Sequence, residues 1–524
     1  MNDAAPALHR CLDGETPPSA RPHQGDPMTS DTAASTAADT GPATSDDDDG
    51  AALAARNKLV IGLLLVSAFV VILNETIMGV ALPSLTRDLG ITVTAGQWLT
   101  TGFMLTMAVV IPITGFLLQR FNTRPVFITA MSLFSLGTAI SAVAPGFGVL
   151  LLGRVVQASG TAIMMPLLMT TVLTLVPPAT RGRTMGNISI VISVAPAIGP
   201  TISGLILSVL EWRFMFIIVL PIALAALALG AVRVKNVTTP RKVPLDVFSV
   251  VLSAFAFGGI VFGLSSIGEG AEAAVPAWLP IGVGVVALLA FVLRQRVLQR
   301  GDRALLDLRT FLSRTFTTSV LVLGVGMIAL FGTLIVLPIY LQNVHGLDPL
   351  ATGLLLLPGG LLQGVLSPFV GRIFDKHGPT VLLVPGTMLV SAVLWFLSTV
   401  SETTPIPMVL GAHVALSVGL ALMFTPLFTS GLGSLPGRLY SHGSAIVGTV
   451  QQVAGAAGTA VFVTVMTLAT VSAAGGGAGD VAAASAGVRA AFLVGAIISL
   501  FAVVGAFFVR RPPVTEGAEP IVAH

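Results

Sequence analysis

Fourteen apolar segments, each about as long as a membrane-spanning helix, make up most of this sequence. Their ranges are 59–82, 96–118, 125–143, 148–173, 185–208, 213–232, 245–266, 277–294, 315–341, 350–371, 379–399, 405–429, 444–471 and 487–509. An α-helix rises 1.5 Å per residue, so about 20 apolar residues cross the hydrocarbon core. Only 10% of the residues are charged, whereas soluble domains average about 25%. The segments therefore predict an all-α integral membrane protein with fourteen transmembrane helices and no sizeable soluble domain.

The basic residues concentrate on one side of the predicted membrane. Of the 27 Lys and Arg residues, 23 lie in the two tails or the even-numbered loops, and only Arg87, Arg213 and Arg489 lie in the loops opposite. Cytoplasmic loops of membrane proteins are enriched in Lys and Arg. We therefore predict a multi-pass protein of the cytoplasmic membrane with both termini in the cytoplasm. The net charge of +3 gives no indication of nucleic-acid binding.

The first six and the last six segments contain a repeat. Leu82-Pro83 precedes a helix that ends GFLLQRFNTRP (115–125), and Leu337-Pro338 precedes a helix that ends GRIFDKHGPT (371–380). The two pairs are offset by 255 and 256 residues, which indicates two homologous halves. Two halves around a central site are typical of secondary transporters.

The repeat divides the chain into five predicted regions. These are a disordered cytoplasmic tail (1–57), an N-terminal six-helix bundle (58–232), two inserted helices with cytoplasmic linkers (233–314), a C-terminal six-helix bundle (315–509) and a cytoplasmic tail (510–524). The first tail is rich in Ala, Thr, Ser, Pro and Asp, a composition that buries too little apolar surface to fold. It contains the single cysteine, Cys11, so no disulfide framework or cysteine-based metal site is expected.

One carboxylate, Glu75, lies inside the first apolar segment, in LNETIMGVALP (73–83). An unpaired charge at that depth costs between about 3 and more than about 10 kcal/mol, which makes an intramembrane acid a functional-site candidate. Arg154, in GVLLLGRVVQASGTAIMMP (148–166), is the only basic residue deep in the predicted membrane. Both residues lie about 9–12 Å below the outer helix ends. We expect them to pair, with a further hydrogen bond from Gln157.

This acid has three interpretations. Access to water can decide whether a buried carboxyl holds a proton, because burial favours the neutral form and a nearby guanidinium favours the charged form. Glu75 would then couple transport to protons. The alternatives are a static strut between Glu75 and Arg154, or a carboxylate that reaches the outer headgroups.

The fifth segment carries SVAPAIGPTISG (193–204). Ala195 and Gly199, and likewise Pro200 and Gly204, are four residues apart, so each pair puts small side chains on one helix face. Such faces allow another helix to approach closely. Ordinary tight packing is the alternative interpretation.

Together these stretches resemble the major facilitator superfamily, and specifically its fourteen-helix drug:H+ antiporters of the EmrB/QacA type, in the lincomycin-resistance-like branch. The resemblance covers residues 58–510 and rests on LNETIMGVALP, GRVVQASG and APAIGPTISG. It implies the major facilitator fold, two six-helix halves plus two inserted central helices. The residues it marks are Glu75, Arg154 and Gln157 for proton coupling; Pro196, Gly199, Pro200 and Gly204 for the antiporter motif; and Gly115, Arg120, Arg124, Gly371, Asp375 and Lys376 for the cytoplasmic gate.

The sequence departs from the family pattern at two positions. The first motif usually has Asp where Asn74 stands, so the acid lies one residue further on, about 100° around the helix. The first loop motif usually has an acid where Gln119 stands, whereas the second copy keeps Asp375. The charged part of the gate is therefore expected to depend mainly on Asp375 and Lys376.

The function predicted from these features is proton-coupled export of small organic, drug-like compounds across the lipid bilayer by alternating access. No GxxxxGK[ST] loop occurs, so we expect no cofactor, with the proton gradient as energy source. The sequence shows neither a nucleophile paired with a base nor a zinc-ligand spacing, so no motif indicates an enzyme. A uniporter or symporter for a specific metabolite and a non-transporting receptor or scaffold are the alternatives. Weaker candidates for substrate contact are Asn74, Met164, Met165 and His413.

Overall fold

The computed structural model describes residues 45–238, 240–241, 243–267 and 275–511. In that part of the chain fourteen helices are long and apolar enough to cross a membrane, which confirms the predicted fold class. They are α1 (Ser45–Asp88), α2 (Val93–Arg120), α3 (Thr123–Ala142), α4 (Phe147–Leu175), α5 (Arg181–Val209), α6 (Arg213–Arg233), α7 (Val247–Ile267), α8 (Trp278–Leu298), α9 (Arg314–Asn343), α10 (Pro349–His377), α11 (Thr380–Leu397), α12 (Ile406–Gly433), α13 (Tyr440–Gly475) and α14 (Asp480–Ala506). The described residues from Leu53 onward form one compact unit.

The start of α1 differs from the sequence prediction. The helix begins at Ser45, within the region 1–57 that was predicted to be disordered. Acidic residue types are favoured in a first helical turn and alanine has the highest helix propensity, and SDDDDGAALAAR (45–56) combines the two. The prediction of disorder is therefore wrong for residues 45–57. For residues 1–44, and for most of the tail 510–524, it lies outside the described residues.

The helices pack as two groups with an additional helix pair. In the first group α4 packs against α2 and α3, and α3 packs against α6. In the second group α9 packs against α12, α13 and α14, while α11 packs against α12 and α14. The groups meet along two seams, α5 with α10 and α2 with α13. The inserted helices α7 and α8 pack on each other, and α7 contacts both α2 and α13.

One end of the bundle is closed. We call it the inner end; it contains the α2–α3 loop and is the end predicted to face the cytoplasm. From this end the α5–α10 seam extends as far as Ala197 and Gly360, and the α2–α13 seam extends to Ala108 and Ala456. Nearer the outer end, an added Cβ at Gly204 of α5 or Gly353 of α10 would meet nothing within 4 Å. The two halves are therefore in contact over the inner part of these seams and apart at those outer positions.

Candidate functional site

Several polar side chains form a hydrogen-bonded cluster around Arg154 on α4. The Arg154 side chain is buried, with 1% of its surface exposed. Its Nη1 donates to Asn74 Oδ1 on α1 at 3.2 Å and to Gln157 Oε1 at 2.6 Å. Gln157 Nε2 in turn donates to Thr138 Oγ1 on α3 at 2.7 Å. The guanidinium lies 4.1 Å from the centroid of the Phe103 ring on α2, a favourable cation–π arrangement. Three helices of the first half thus contribute polar side chains to one buried cluster, and α2 contributes the aromatic ring that packs on it.

Glycines bring α3 and α4 close enough for this cluster to form. An added Cβ at Gly153 would lie 2.9 Å from the Ser141 backbone nitrogen, and one at Gly137 would lie 2.6 Å from the Gln157 Cα. Because these are contacts with backbone atoms, any larger residue would force the two helices apart, so only glycine fits. The small residues of GRVVQASG therefore set the helix spacing at which Gln157 reaches Thr138.

The predicted pair between Glu75 and Arg154 is not formed in this structure. Arg154 contacts α1 through Asn74, the preceding residue, and Glu75 interacts with Arg154 electrostatically without a hydrogen bond among the described residues. The reason is the offset of about 100° between neighbouring residues of a helix. The buried Nε of Arg154 has no hydrogen-bond partner in the part of the chain that the structure describes.

Glu75 faces the interior of the protein and not the lipid. It lies about three turns from Leu64 and about two turns from Ala68 on the same face of α1, and both of those residues are 0% exposed. Val66, on the opposite face, is 58% exposed. Glu75 itself is only partly buried. The exposed part of the Glu75 side chain therefore faces the interior of the bundle. Nearer the inner end, at Ala68 and Leu64, the interior is closely packed.

The antiporter motif on α5 has one close contact with α1. An added Cβ at Gly199 would lie 3.0 Å from Thr76 Cβ, so the predicted close approach occurs there. The predicted close packing at Gly204 is wrong, because that position borders open space. Pro196 is partly buried, and the side chain of Pro200 lies outside the described residues.

The predicted gate residues lie at the inner end. The Asp375 carboxylate at the end of α10 accepts hydrogen bonds from the backbone N–H groups of Gly182 (2.7 Å) and Arg183 (2.8 Å) in the first turn of α5. Helix N-termini carry a partial positive charge, so this carboxylate stabilises the contact between the two halves. An added Cβ at Gly371 would lie 2.8 Å from the Gly182 carbonyl carbon, so glycine at this position permits the contact.

The other gate candidates contribute less. Gly115 packs on the second half, where an added Cβ would lie 3.4 Å from Ala445 Cβ. The Arg124 backbone N–H donates to Asn236 Oδ1 at 3.2 Å. The side chains of Arg120 and Lys376 make no hydrogen bond or ion pair within the described ranges, so Lys376 does not share the role of Asp375 here.

Sequence reasoning missed one residue of the inner closure, His442 on α13. It is 5% exposed, and its Nε2 lies 2.7 Å from Gln119 Nε2 on α2. Gln119 stands where the resemblance predicts an acid, so this contact across the halves contains no carboxylate. A histidine in the polar start of an apolar segment, SHGS (441–444), was the available signal.

The weak candidates for substrate contact are mainly packing residues. Met164 is 0% exposed within the main apolar core, and Met165 is partly buried against it. His413 Nε2 lies 3.0 Å from the Leu356 carbonyl oxygen on α10. Asn74 is held by Arg154.

Comparison with known proteins assigns the chain to a family. The sequence model described as Major Facilitator Superfamily matches residues 64–459. The uncharacterized MFS-type transporter YcnB of Bacillus subtilis (strain 168) is 41% identical over 458 residues, 87% of this chain and 96% of that protein. Lincomycin resistance protein LmrB of the same organism is 40% identical over 456 residues, 86% of this chain and 95% of that protein. These relatives are transporters and not enzymes.

Two solved structures share the fold at low sequence identity. The human organic anion transporter MFSD10 (TETRAN) matches with a TM-score of 0.61 at 15% identity and covers 87% of this chain and 99% of its own. The proton:xylose symporter XylE matches with a TM-score of 0.58 at 15% identity, covering 86% and 95%. The family match, the relatives and the fourteen helices agree: the chain is a fourteen-helix member of the major facilitator superfamily, in the same branch as the LmrB proteins.

Proposed function

We propose that this transporter exports small organic, drug-like compounds in exchange for protons, and that Glu75 carries the proton. The observation that supports this most is the interior position of Glu75, beside the buried polar cluster of Arg154 and without a hydrogen bond of its own in the described chain. An ionisable side chain in the interior of a membrane bundle is a default candidate for a proton relay.

The proposed cycle uses the two ends of the bundle in turn. With the inner end closed, as here, Glu75 takes up a proton from the outer side. The protonated carboxyl no longer needs a cationic partner, so the halves can rearrange around it. Once the inner end opens, water and the unpartnered Nε of Arg154 stabilise the carboxylate, and the proton leaves toward the cytoplasm. Substrate occupies the same interior space in the opposite half of the cycle.

The substrate class and membrane orientation belong to this proposal. LmrB, named for lincomycin resistance, is 40% identical, and a 28% identical protein of Mycobacterium tuberculosis (strain ATCC 25618 / H37Rv) is named multidrug resistance protein B homolog. Both names support an antibiotic-like substrate. The basic inner loops support a location in the cytoplasmic membrane with both termini inside. The proton gradient supplies the energy, without a cofactor.

Drug-driven proton movement in proteoliposomes tests the proposal. The wild type, Glu75→Gln and a control, Glu211→Gln, are reconstituted with a pH dye inside and given a panel of cationic and lincosamide-like compounds. Glu211 is a suitable control because its side chain is 74% exposed, outside the membrane spans. We expect compounds to move protons with the wild type and Glu211→Gln, and at least tenfold less with Glu75→Gln.

The other outcomes separate the alternatives. Undiminished proton movement with Glu75→Gln would remove Glu75 from the mechanism. Compound flux without proton movement in the wild type would indicate a uniporter. If no compound is transported, the export proposal fails, and metabolite uptake is the next activity to measure.

A further inference from the structure

A cavity of about 440 Å³ lies at the inner end, away from the Arg154 cluster. Most of its walls come from three separate segments of the chain: the loop between α6 and α7, the linker between α8 and α9, and the loop between α12 and α13. Gln119 on α2 and His442 on α13 complete the lining. Its charged lining residues are Arg241, Asp302, Arg303, Asp307, Arg309 and Arg438. Nothing in the transport cycle proposed above uses this cavity.

The cavity carries an excess of positive charge. Four arginines and two aspartates line it, a net charge of +2. Arg309 is paired with both carboxylates, at 2.6 Å from Asp307 Oδ2 and in close contact with Asp302. Those bonds lower the pKa of Asp302 and raise the pKa of Arg309. The single positive charge of Arg309 offsets one of the two carboxylate charges.

Three guanidinium groups remain available to a ligand. Among the described residues, Arg241, Arg303 and Arg438 have no carboxylate within ion-pair distance. They come one from each of the three wall segments. Arg241 and Arg438 also interact electrostatically with Asp302. The three arginines share one excess carboxylate charge, so a net charge of +2 remains in the lining for a bound anion to offset.

The walls of the cavity are held in place by buried hydrogen bonds. Gln295 on α8 is 0% exposed, and its Oε1 accepts from the backbone N–H groups of Leu305 (2.7 Å) and Leu306 (3.3 Å) in the linker. Its Nε2 donates to Ser249 Oγ on α7 at 2.8 Å. The linker that carries Arg303 is therefore anchored to both inserted helices.

The same cavity touches both halves of the transporter. Gln119 of α2 and His442 of α13 line it and contact each other at 2.7 Å. The Arg241 backbone N–H donates to the Gln119 carbonyl at 2.7 Å. Opening the inner end requires α2 to move away from α13, and such a movement would separate these walls.

We propose that this cavity binds a phosphate-bearing anion, held by Arg241, Arg303 and Arg438. Guanidinium groups match the geometry of phosphate oxygens and bind them bidentately. The anion is either a soluble phosphate compound or the headgroup of an acidic phospholipid in the inner leaflet, which share this chemistry. Bound between the three segments, it stabilises the inner-closed conformation. The inserted helices α7 and α8 would then hold a regulatory site in place. This role does not depend on which compound the transporter exports.

Thermal unfolding of the full-length purified protein tests this site. The probes are sodium pyrophosphate, short-chain phosphatidylglycerol and, as a neutral headgroup, short-chain phosphatidylcholine. The variant is Arg303→Gln with Arg438→Gln. The matched control is Arg296→Gln with Arg300→Gln, which removes the same charge from exposed positions outside the cavity lining. We expect an anionic probe to raise the Tm of the wild type and the control by several degrees, and that of the variant by less than half as much.

The results distinguish the two sources of the anion and can also reject the site. A shift with pyrophosphate assigns the site to soluble phosphate compounds, and a shift with phosphatidylglycerol alone assigns it to lipid. Equal shifts in variant and control, equal shifts with phosphatidylcholine, or no shift with any probe would each overturn the proposal. If the double variant is not monodisperse, Arg241→Gln alone replaces it, with the same expectation.

Discussion

Arg154 is a buried cation whose hydrogen bonds lie within one half of the transporter. Its Nη1 reaches acceptors on α1 and on α4 at once while the guanidinium lies against the Phe103 ring. Lysine is shorter and has no planar group to stack on a ring, so it cannot keep all of these contacts. We therefore expect Arg154→Lys to lose one of these charge-assisted bonds and to destabilise the protein by about 2 kcal/mol.

Transport and thermal unfolding, measured together, check this expectation. Arg154→Lys should lower the Tm and reduce substrate flux at least tenfold. Arg372→Lys is the control, since that arginine is exposed on the inner part of α10. An unchanged Tm and flux in Arg154→Lys would show that the cluster tolerates a simple charge and that its geometry is irrelevant.

At this scale the sequence predicted the depth of Glu75 and Arg154 in the membrane but not the partner of Arg154. Depth along the helices placed Glu75 and Arg154 at one level, and that reasoning uses only the rise per residue. Which of two adjacent residues faces α4 depends on the rotation of α1, which packing sets. Asn74 lies opposite Arg154 and accepts its hydrogen bond, whereas Glu75 makes no hydrogen bond to Arg154. His442 was missed because its partner, Gln119, is 323 residues away.

Asp246 connects the two inserted helices at their inner ends. Its carboxylate caps α7 through Ser249 N at 3.1 Å and accepts two hydrogen bonds of 2.7 Å from Arg294 on α8. The Arg294 bond is the main cause that lowers the pKa of Asp246 from 3.8 to about 2. A depressed carboxyl pKa stabilises the fold above the unfolded pKa, and that contribution is lost as the pH falls through the folded value.

We therefore expect Asp246→Asn to destabilise the protein by about 2 kcal/mol at pH 7, since one pKa unit corresponds to about 1.4 kcal/mol. The difference in Tm between wild type and variant should shrink by about half at pH 3 and approach zero near pH 2. Glu402→Gln serves as the control, with no effect expected at either pH, because Glu402 is exposed and has no ion pair among the described residues. A difference in Tm that stays constant from pH 7 to pH 3 would mean that the aspartate acts through shape and not through charge.

The elements themselves were largely predictable. A run of about 20 apolar residues has few alternatives to a membrane helix, because backbone groups in lipid have to bond within the segment. Helix ends were less predictable: α13 runs to Gly475, beyond the apolar segment 444–471. The linker after α8 has no hydrophobic period, and only the structure shows that Leu305 and Leu306 are 2% and 3% exposed.

The two halves of the whole molecule are held together at the inner end by small and polar residues. Asp375 binds the first turn of α5, and Thr170 Oγ1 donates to Ser444 Oγ across α4 and α13 at 3.2 Å. Interfaces of this kind can separate and re-form, because they contain close backbone contacts and few large interlocking side chains. The internal repeat predicted two halves, but the conformation in which they meet depends on these contacts.

We expect substitutions at the α5–α10 seam to open the inner end. Gly371→Leu places a side chain where α5 approaches, since even a Cβ would lie 2.8 Å from the Gly182 carbonyl carbon. Asp375→Asn removes the negative charge at the N-terminus of α5 but keeps one carbonyl acceptor. The inner-open population should therefore increase from wild type to Asp375→Asn to Gly371→Leu.

Cysteine labelling reports this population directly. The chain has one cysteine, Cys11, so Cys11→Ser with Ser444→Cys leaves a single thiol at a position that is 3% exposed when the inner end is closed. A membrane-impermeant maleimide added at the inner face should label it severalfold faster in Gly371→Leu than in the parent. Gly353→Leu is the matched control on the same helix, because that position is open. Equal labelling rates in Gly371→Leu and Gly353→Leu would show that the inner seam does not hold the halves closed.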